Sequence, residues 1–344
     1  MSEQSGTAVT AALDRVASGG DLSAEQTAEV LGEIMAGGVP QAQIAGFLMA
    51  LRTKGETVEE LTGLARAMRG LALRVHAQAE NLLDTAGTGG GRRSFNVSTT
   101  AALIAAGAGC FVAKHGNRSA TGTSGSADLL EALGARIDLE PEGVARCIDE
   151  VGFGFMFAPA HHAATRTVNG VRRELAVRTI FNFLGPLTNP AGASRQLIGV
   201  SDARYLETIA GALALLGVDR ALVVAGEDGL DEVSASAPTR VVEVNGDEII
   251  TYTLTPAALG VDPDGGAELT GGTPAQNAAL ALAVFAGERG APRELALANA
   301  GAAIYAAGAA ATLREGVELA REAVDDGRAS LALQRFVAAT HEAP

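Results

Sequence analysis

The sequence predicts an α/β protein, a mostly parallel sheet covered by helices, preceded by a smaller all-helical unit. About the first seventy residues have helical periodicity throughout, and from Asn81 onward short apolar runs alternate with helical segments. Polar, glycine-rich stretches recur where an apolar run ends, the edge of an open sheet at which ligands collect. The chain of 344 residues exceeds one average core; at roughly 150 residues per domain it divides into two units.

In the N-terminal unit, Ser23 with Gln26 and Thr57 with Glu60 have capping-box spacing. Leu61, Leu64, Ala65, Met68 and Leu71 then make one apolar helical stripe. Gly19–Gly20, Gly37–Gly38 and Gly70 are expected to end successive helices, and Pro40 stands where a first turn tolerates proline. Beyond Asn81, Leu82–Leu83, Cys110–Lys114, Phe153–Phe157, Leu197–Val200 and Ala221–Ala225 read as buried strands. Thr99–Ala108, Ala127–Leu133, Gly143–Val151 and Tyr205–Leu216 read as the helices between them. Val241–Val244 and Ile249–Leu254 form an antiparallel hairpin near an edge, and the Ala-rich chain from Pro274 is helical again.

Composition narrows the function. The formal net charge is −14, with 26 basic against 40 acidic residues and no Lys/Arg block, which argues against a phosphate-reading nucleic-acid binder. An anionic substrate would need backbone amides, a few placed cations or a metal. No apolar run reaches the length of about 18 residues that a membrane helix needs, and Met1 to Thr7 is polar with no secretion signal, so a cytoplasmic protein is expected. Cys110 and Cys147 lack metal-ligand spacing and read as reduced core thiols.

Four motifs carry chemistry. The first is Asp84-Thr-Ala-Gly87-Thr-Gly-Gly-Gly91, followed by Asn96-Val-Ser98-Thr99 at a helix start. Consecutive glycines let amides approach a bulky anion, and the helix start adds free N–H groups. It lacks the Gly-Lys-Ser/Thr ending of a nucleotide P-loop. The second, Lys114-His-Gly-Asn-Arg118-Ser119 with Thr121-Gly-Thr-Ser124-Gly-Ser126, offers cations and a second anion cradle. The third runs from Phe157-Ala-Pro-Ala-His161-His162 through Val171-Arg172-Arg173-Glu174 to Asn182-Phe-Leu-Gly185-Pro-Leu-Thr-Asn189-Pro190. Its arginines are either a solvated helix face paired with Glu174 or a carboxylate site, and its histidines lack the further ligands of a metal site. The fourth is Gly226-Glu-Asp-Gly229-Leu-Asp231-Glu232, adjacent carboxylates at a strand end that suit Mg²⁺ or are an acidic surface loop.

In order along nearly the whole chain, Gly-Thr-Gly-Gly, Asn-x-Ser-Thr, Lys-His-Gly-Asn-Arg, Arg-Arg-Glu, Phe-Asn-x-Leu-Gly-Pro-Leu-Thr-Asn-Pro and Asp-Gly-Leu-Asp-Glu resemble the anthranilate phosphoribosyltransferase family. The resemblance implies a nucleoside phosphorylase/phosphoribosyltransferase-like fold. Residues 1–73, joined by part of 165–192, would be a small helical domain, and 74–344 a large α/β domain with the phosphate and metal sites. It implies transfer of the phosphoribosyl group of phosphoribosyl pyrophosphate to anthranilate with release of pyrophosphate, the second step of tryptophan biosynthesis. A homodimer using Mg²⁺, with neither nucleic acid nor membrane as partner, is expected.

Residue by residue, the resemblance assigns the phosphoribosyl pyrophosphate to Gly87, Gly90, Gly91, Ser94, Asn96, Val97, Ser98 and Thr99. Lys114, His115, Gly116, Asn117, Arg118, Ser119, Ala120, Thr121, Gly122 and Ser126 join them. Anthranilate falls to Gly87, Asn117, His162 and Arg172, and Mg²⁺ to Ser98, Asp231 and Glu232. No side-chain nucleophile is implied; positioning and electrostatics do the work.

The chain departs from the family pattern in two places. Where relatives usually read Gly-Thr-Gly-Gly-Asp-Gly, this chain is one residue shorter and lacks the aspartate, and Arg92 and Arg93 follow Gly91. Thr121-Gly122-Thr123 replaces the common Ser-Ser-Lys. Both changes remove contacts near the pyrophosphate or its metal. A pyrimidine nucleoside phosphorylase, the related alternative, should carry Lys-x-Ser-Thr-Gly-Gly, which is absent.

Overall fold

The computed structural model describes residues 7–119, 122–262 and 269–342. It opens with four helices, α1 (Thr7–Ala17), α2 (Ala24–Ala36), α3 (Gln41–Lys54) and α4 (Val58–Leu71). Both expected capping boxes form, Ser23 with Gln26 on α2 and Thr57 with Glu60 on α4. The wholly buried Glu60 carboxylate accepts from the Leu22 and Thr57 amides at 3.1 and 2.9 Å and from the Lys54 ammonium at 3.1 Å. One carboxylate thus ties the end of α3 to the starts of α2 and α4. Gly63 lets α4 lie directly on α2, since a Cβ there would overlap the Ala24 carbonyl and Thr27 hydroxyl oxygens.

The sheet and its helices follow in alternation: β1 (Leu83–Gly87), α5 (Val97–Gly107), β2 (Val112–Gly116), α6 (Ser126–Ala132), α7 (Pro141–Val151) and β3 (Phe153–Phe157). After β3 the chain leaves the sheet through α8 (Ala158–His161), α9 (Arg166–Leu175) and α10 (Phe181–Leu187), then returns as β4 (Arg195–Gly199). Helix α11 (Leu206–Leu215) leads to β5 (Arg220–Gly226), and the hairpin of β6 (Thr239–Asn245) and β7 (Glu248–Leu254) completes the edge. Five helices end the chain: α12 (Pro256–Leu259), α13 (Pro274–Phe285), α14 (Ala291–Ala306), α15 (Leu313–Asp325) and α16 (Arg328–Glu342). Strand order is β3-β2-β1-β4-β5-β6-β7, with β1 to β5 parallel and β6 and β7 antiparallel. At the centre β1 pairs with β4 so that Gly87 stands opposite Gly199.

Each face of the sheet has its own apolar core. One cluster joins α5, α7 and α13 to α16 to the sheet through residues such as Leu83, Val112, Leu222 and Leu297. The other begins in the N-terminal helices and runs without a break through Val168, Val171, Phe181 and Leu184 to Ile198, Val223 and Val242 on the opposite face.

Several boundaries differ from the sequence reading. The first strand continues through Asp84-Thr85-Ala86-Gly87, and the second runs Val112–Gly116 in place of Cys110–Lys114, so Lys114 no longer ends it and His115 lies inside it. Charged residues usually mark the end of a strand; here polar partners inside the protein, Thr85 for Lys114 and Asn189 for Asp84, keep them in the sheet. Gly70 lies within α4, which ends one residue later, and Leu71 at the end of the predicted stripe is half-exposed. Cys110 and Cys147 are buried free thiols whose pKa values burial pushes up to about 12 and about 11. Among the described residues no helix is long and apolar enough to cross a membrane.

Candidate active site

Beneath the glycine-rich turn lies a buried polar knot. Asp84 and Lys114, on adjacent strands, are each 1% exposed. Asp84 accepts from the His115 amide at 3.1 Å and the Asn189 side chain at 2.7 Å; Asn189 also donates to the Ala113 carbonyl at 2.7 Å. Lys114 donates to the Thr85 carbonyl at 2.5 Å, and the Thr85 hydroxyl donates to the Ser98 carbonyl at 2.9 Å. Burial raises the Asp84 pKa and lowers that of Lys114, while the two charges and that of Glu232 act in the opposite sense. Lys114 therefore sits as the interior counter-charge below the site.

Above the knot, Gly89 and Gly90 take left-handed backbone angles of +64° and +86°. The turn is pinned on three sides. The Thr88 amide donates to the Gly199 carbonyl at 2.9 Å, the Arg92 amide to the Gly229 carbonyl at 2.7 Å, and the Arg178 guanidinium to the Gly89 carbonyl. Arg178 also donates to the Ser201 hydroxyl at 2.8 Å and the Thr88 carbonyl at 3.3 Å.

Helix α5 starts without a side-chain cap, because Asn96 is used elsewhere. Its side-chain oxygen accepts from Ser124 at 2.9 Å and Asn277 at 2.7 Å, and its side-chain nitrogen donates to the Ser124 carbonyl at 3.1 Å. The first amides of α5 therefore turn to acceptors other than a cap, Val97 to the Phe95 carbonyl at 2.7 Å. One of them, Ser98, faces the Glu232 carboxylate.

The carboxylates come from the loop after β5. Asp231 packs so closely on the centre of the sheet that a Cβ at Gly87 or Gly91 would stand 3.3 or 2.6 Å from its carboxylate oxygens, and one at Gly199 would overlap its backbone. Burial raises the pKa of Asp231; burial and then Asp231 itself raise that of Glu232 well above the carboxylate range, with Lys114 opposing. Two crowded carboxylates, only partly matched by Arg178 at Asp231 and Lys114 at Glu232, have the chemistry of a divalent-cation site with hard oxygen donors. Among the described residues no three His, Cys, Asp or Glu side chains converge, so a metal there would draw further ligands from substrate or water.

The second cradle differs in charge from what its sequence suggests. Arg118 is bound to Asp128 at 2.9 Å and to Glu131 at 2.5 and 2.8 Å, carboxylates that hold its pKa above the usual value. Its charge is matched locally, and Asp128 also accepts from the Ser119 and Gly125 amides at 3.1 and 2.8 Å. Gly122 donates its amide to the Ser119 hydroxyl at 2.7 Å, and the Ser126 hydroxyl donates to the Asn117 carbonyl at 3.2 Å. Gly116 leaves the room that Ser126 occupies. Ala120 and Thr121 lie outside the described residues.

On the neighbouring side, His115 and His162 meet edge to face with centroids 5.1 Å apart. His115 Nδ1 bonds the Gly185 carbonyl and His162 Nε2 the Thr188 carbonyl, both at 3.1 Å. Burial lowers their pKa values to about 3 and about 4, so both are neutral at physiological pH. His115 Nε2 is buried with no protein partner among the described residues. Arg172, half-buried on α9, has its guanidinium 5.4 Å above the Phe181 ring and no hydrogen bond or ion pair from its side chain among the described residues. An unmatched guanidinium is suited to a carboxylate.

The structure thus brings Gly87, Gly91, Ser98, Lys114, Asp231 and Glu232 together and sets His162 and Arg172 on the segment between β3 and β4, with His115 of β2 packed against His162. Sequence reasoning left Asp84 and Asn189 unassigned within their motifs, and missed Arg178 and Asn277 entirely. Asn277 reaches Asn96 across 181 residues, which no local pattern signals.

A parallel sheet with an uncapped helix start, an acidic pair at its edge and a helical unit alongside defines a two-part glycosyl transferase. The helical bundle domain of that family matches residues 10–72 and its a/b domain residues 79–330. The chain belongs to the anthranilate phosphoribosyltransferase family. It is 51% identical over 329 residues to the anthranilate phosphoribosyltransferase of Moorella thermoacetica (95% of this chain, 97% of that one). With that of Rubrobacter xylanophilus it shares 52% over 331 residues (95% and 96%). The crystal structure of the Thermus thermophilus enzyme superposes with a TM-score of 0.90 at 46% identity, covering 96% of this chain and 99% of that one. The Saccharomyces cerevisiae enzyme in complex with PRPP and Mg gives 0.87 at 26% identity, covering 97% and 98%.

Proposed function

We propose that the protein transfers the 5-phosphoribosyl group from phosphoribosyl pyrophosphate to the amine of anthranilate, releasing pyrophosphate, as the second step of tryptophan biosynthesis. One observation carries the reading: an amide-rich turn, the uncapped start of α5 and a carboxylate pair meet at the carboxyl ends of the central strands β1 and β4. The donor's pyrophosphate is taken by Gly87, Gly90, Gly91 and the start of α5, with the loop after β2 completing the cradle. Arg172 reads the anthranilate carboxylate, beside His162 and Asn117. Asp231, Glu232 and Ser98 are the residues that would hold Mg²⁺, which when bound neutralises charge on the departing pyrophosphate. The bond from the anomeric carbon to pyrophosphate oxygen breaks and one to the amine nitrogen forms. The chain's own part is to aim amides at the developing anion and hold the amine in line.

Residues 1–73, joined by part of 165–192, are proposed as the helical domain and 74–344 as the α/β domain. The core shared by the N-terminal helices and Val168 to Leu187 supports that grouping. A cytoplasmic homodimer completes the proposal. Purified protein given anthranilate, phosphoribosyl pyrophosphate and Mg²⁺ is expected to consume anthranilate fluorescence in step with pyrophosphate release, and chelation by EDTA to stop both. Unchanged fluorescence with all three present would sink the proposal.

A further inference from the structure

We propose that Arg178 is the positioning residue of the donor loop: by holding the Thr88 and Gly89 carbonyls it turns the Gly89 and Gly90 amides toward the pyrophosphate. The inference rests on the reading that this loop binds the donor.

In a trans peptide the carbonyl and the following N–H point to opposite sides of the chain. Arg178 donates to the carbonyls of Thr88 and Gly89, so the amides that follow them, on Gly89 and Gly90, are directed away from it. What lies on the far side is the carboxylate loop. The Gly89 amide faces Asp231, and Gly91 lies against the same side chain. The amide side of the turn is therefore the side on which the metal and pyrophosphate are proposed to bind.

The turn needs such an anchor because Gly89, Gly90 and Gly91 stand in succession, and glycine has the most backbone freedom to lose. The anchor needs to be arginine. Its acceptors are two successive carbonyls and the Ser201 hydroxyl, a spread that a planar fork of donors spans and a single ammonium does not. Gly90 has to stay glycine for the same reason, since a Cβ there would overlap the guanidinium. Three of its five N–H donors are spent on protein oxygens of the turn and its support, which is the bonding of a residue that positions the loop.

Arg178 also connects the turn to the rest of the molecule. It stands in the segment between α9, which carries Arg172, and α10, and its own carbonyl accepts from Arg52 on α3 at 2.6 Å. A shift of the N-terminal helices or of the acceptor segment is thereby passed to the donor turn.

The test compares wild type, Arg178→Lys and Arg178→Ala by direct binding of phosphoribosyl pyrophosphate, by both KM values and by melting. Losing the charge-assisted bonds should raise the donor KM roughly tenfold or more in both variants, with the anthranilate KM at saturating donor changed by less than about twofold. Added guanidinium ion should recover donor binding in Arg178→Ala. If that variant does not fold, Arg178→Lys, which keeps the charge, carries the test. A wild-type donor KM in Arg178→Lys, or equal rises in both KM values, overturns the inference. If wild type itself does not bind phosphoribosyl pyrophosphate, the proposed function fails; if wild type and variants bind it equally, only the role of Arg178 does.

Discussion

Arg172 stands half-buried beside Phe181 with no charged partner among the described residues, and the proposed function gives it the anthranilate carboxylate. Removing it leaves that carboxylate without its ion pair, a loss of about 1.5–3 kcal/mol. Arg172→Ala is expected to raise the anthranilate KM by roughly ten- to a hundredfold while the donor KM stays near wild type; steady-state kinetics with each substrate varied checks this. Asp231 and Glu232 give a second test. Burial raises both folded-state pKa values, and Asp231 adds to the rise at Glu232. A carboxylate with a raised folded pKa holds its proton better folded than unfolded, so the pair's contribution to metal-free stability is greatest at low pH and falls as pH rises above about 4. Asp231→Asn with Glu232→Gln should abolish most activity yet flatten that fall, measured as melting in EDTA from about pH 4 to pH 7. Parallel melting curves, or an active double variant, would contradict it. The carboxylates were legible because two hard ligands stand adjacent in sequence. Arg178 was not, because its partners are backbone carbonyls, which every residue carries. The partners of Arg118 were likewise hidden, since Asp128 and Glu131 reach it only once α6 folds back.

Elements were legible where their signal is local. A capping box closes within four residues, so the starts of α2 and α4 follow from sequence alone. Strand ends were not, because Asp84 and Lys114 remain in the sheet only by virtue of partners on other strands and on the loop at Asn189. Helix packing yields a prediction whose sign distinguishes two effects. By propensity alone, Gly63→Ala should stabilise α4 by about 1 kcal/mol. By packing, the added Cβ overlaps α2 at Ala24 and Thr27, and overpacking costs about 1–3 kcal/mol. We expect net destabilisation, read as a lower denaturant midpoint at unchanged slope; a raised midpoint would show that α2 and α4 separate freely.

At the scale of the molecule, the alternation of apolar runs and helices was enough to give a parallel sheet, but the merging of the N-terminal helices into one face of that sheet was not. It depends on one cluster that gathers residues as far apart in the chain as Leu64 and Ile198. Because one core spans both units, the protein should unfold in a single transition, with calorimetric and van't Hoff enthalpies equal; two resolved transitions would show that the units are energetically separate. The strand order has a further consequence. From the central pair, the chain passes from β1 outward to β3 on one side and from β4 outward to β7 on the other, so a crevice opens between the halves by connectivity alone. The turn after β1 and the carboxylates after β5 sit on that frame, whereas Arg172 and His162 belong to the single excursion between β3 and β4. On the proposed reading that excursion holds contacts to the acceptor and supports for the donor site side by side: new amines could be recruited by changing residues around His162 and Arg172, provided that Arg178, which holds the donor turn, and Asn189, which holds Asp84, are kept.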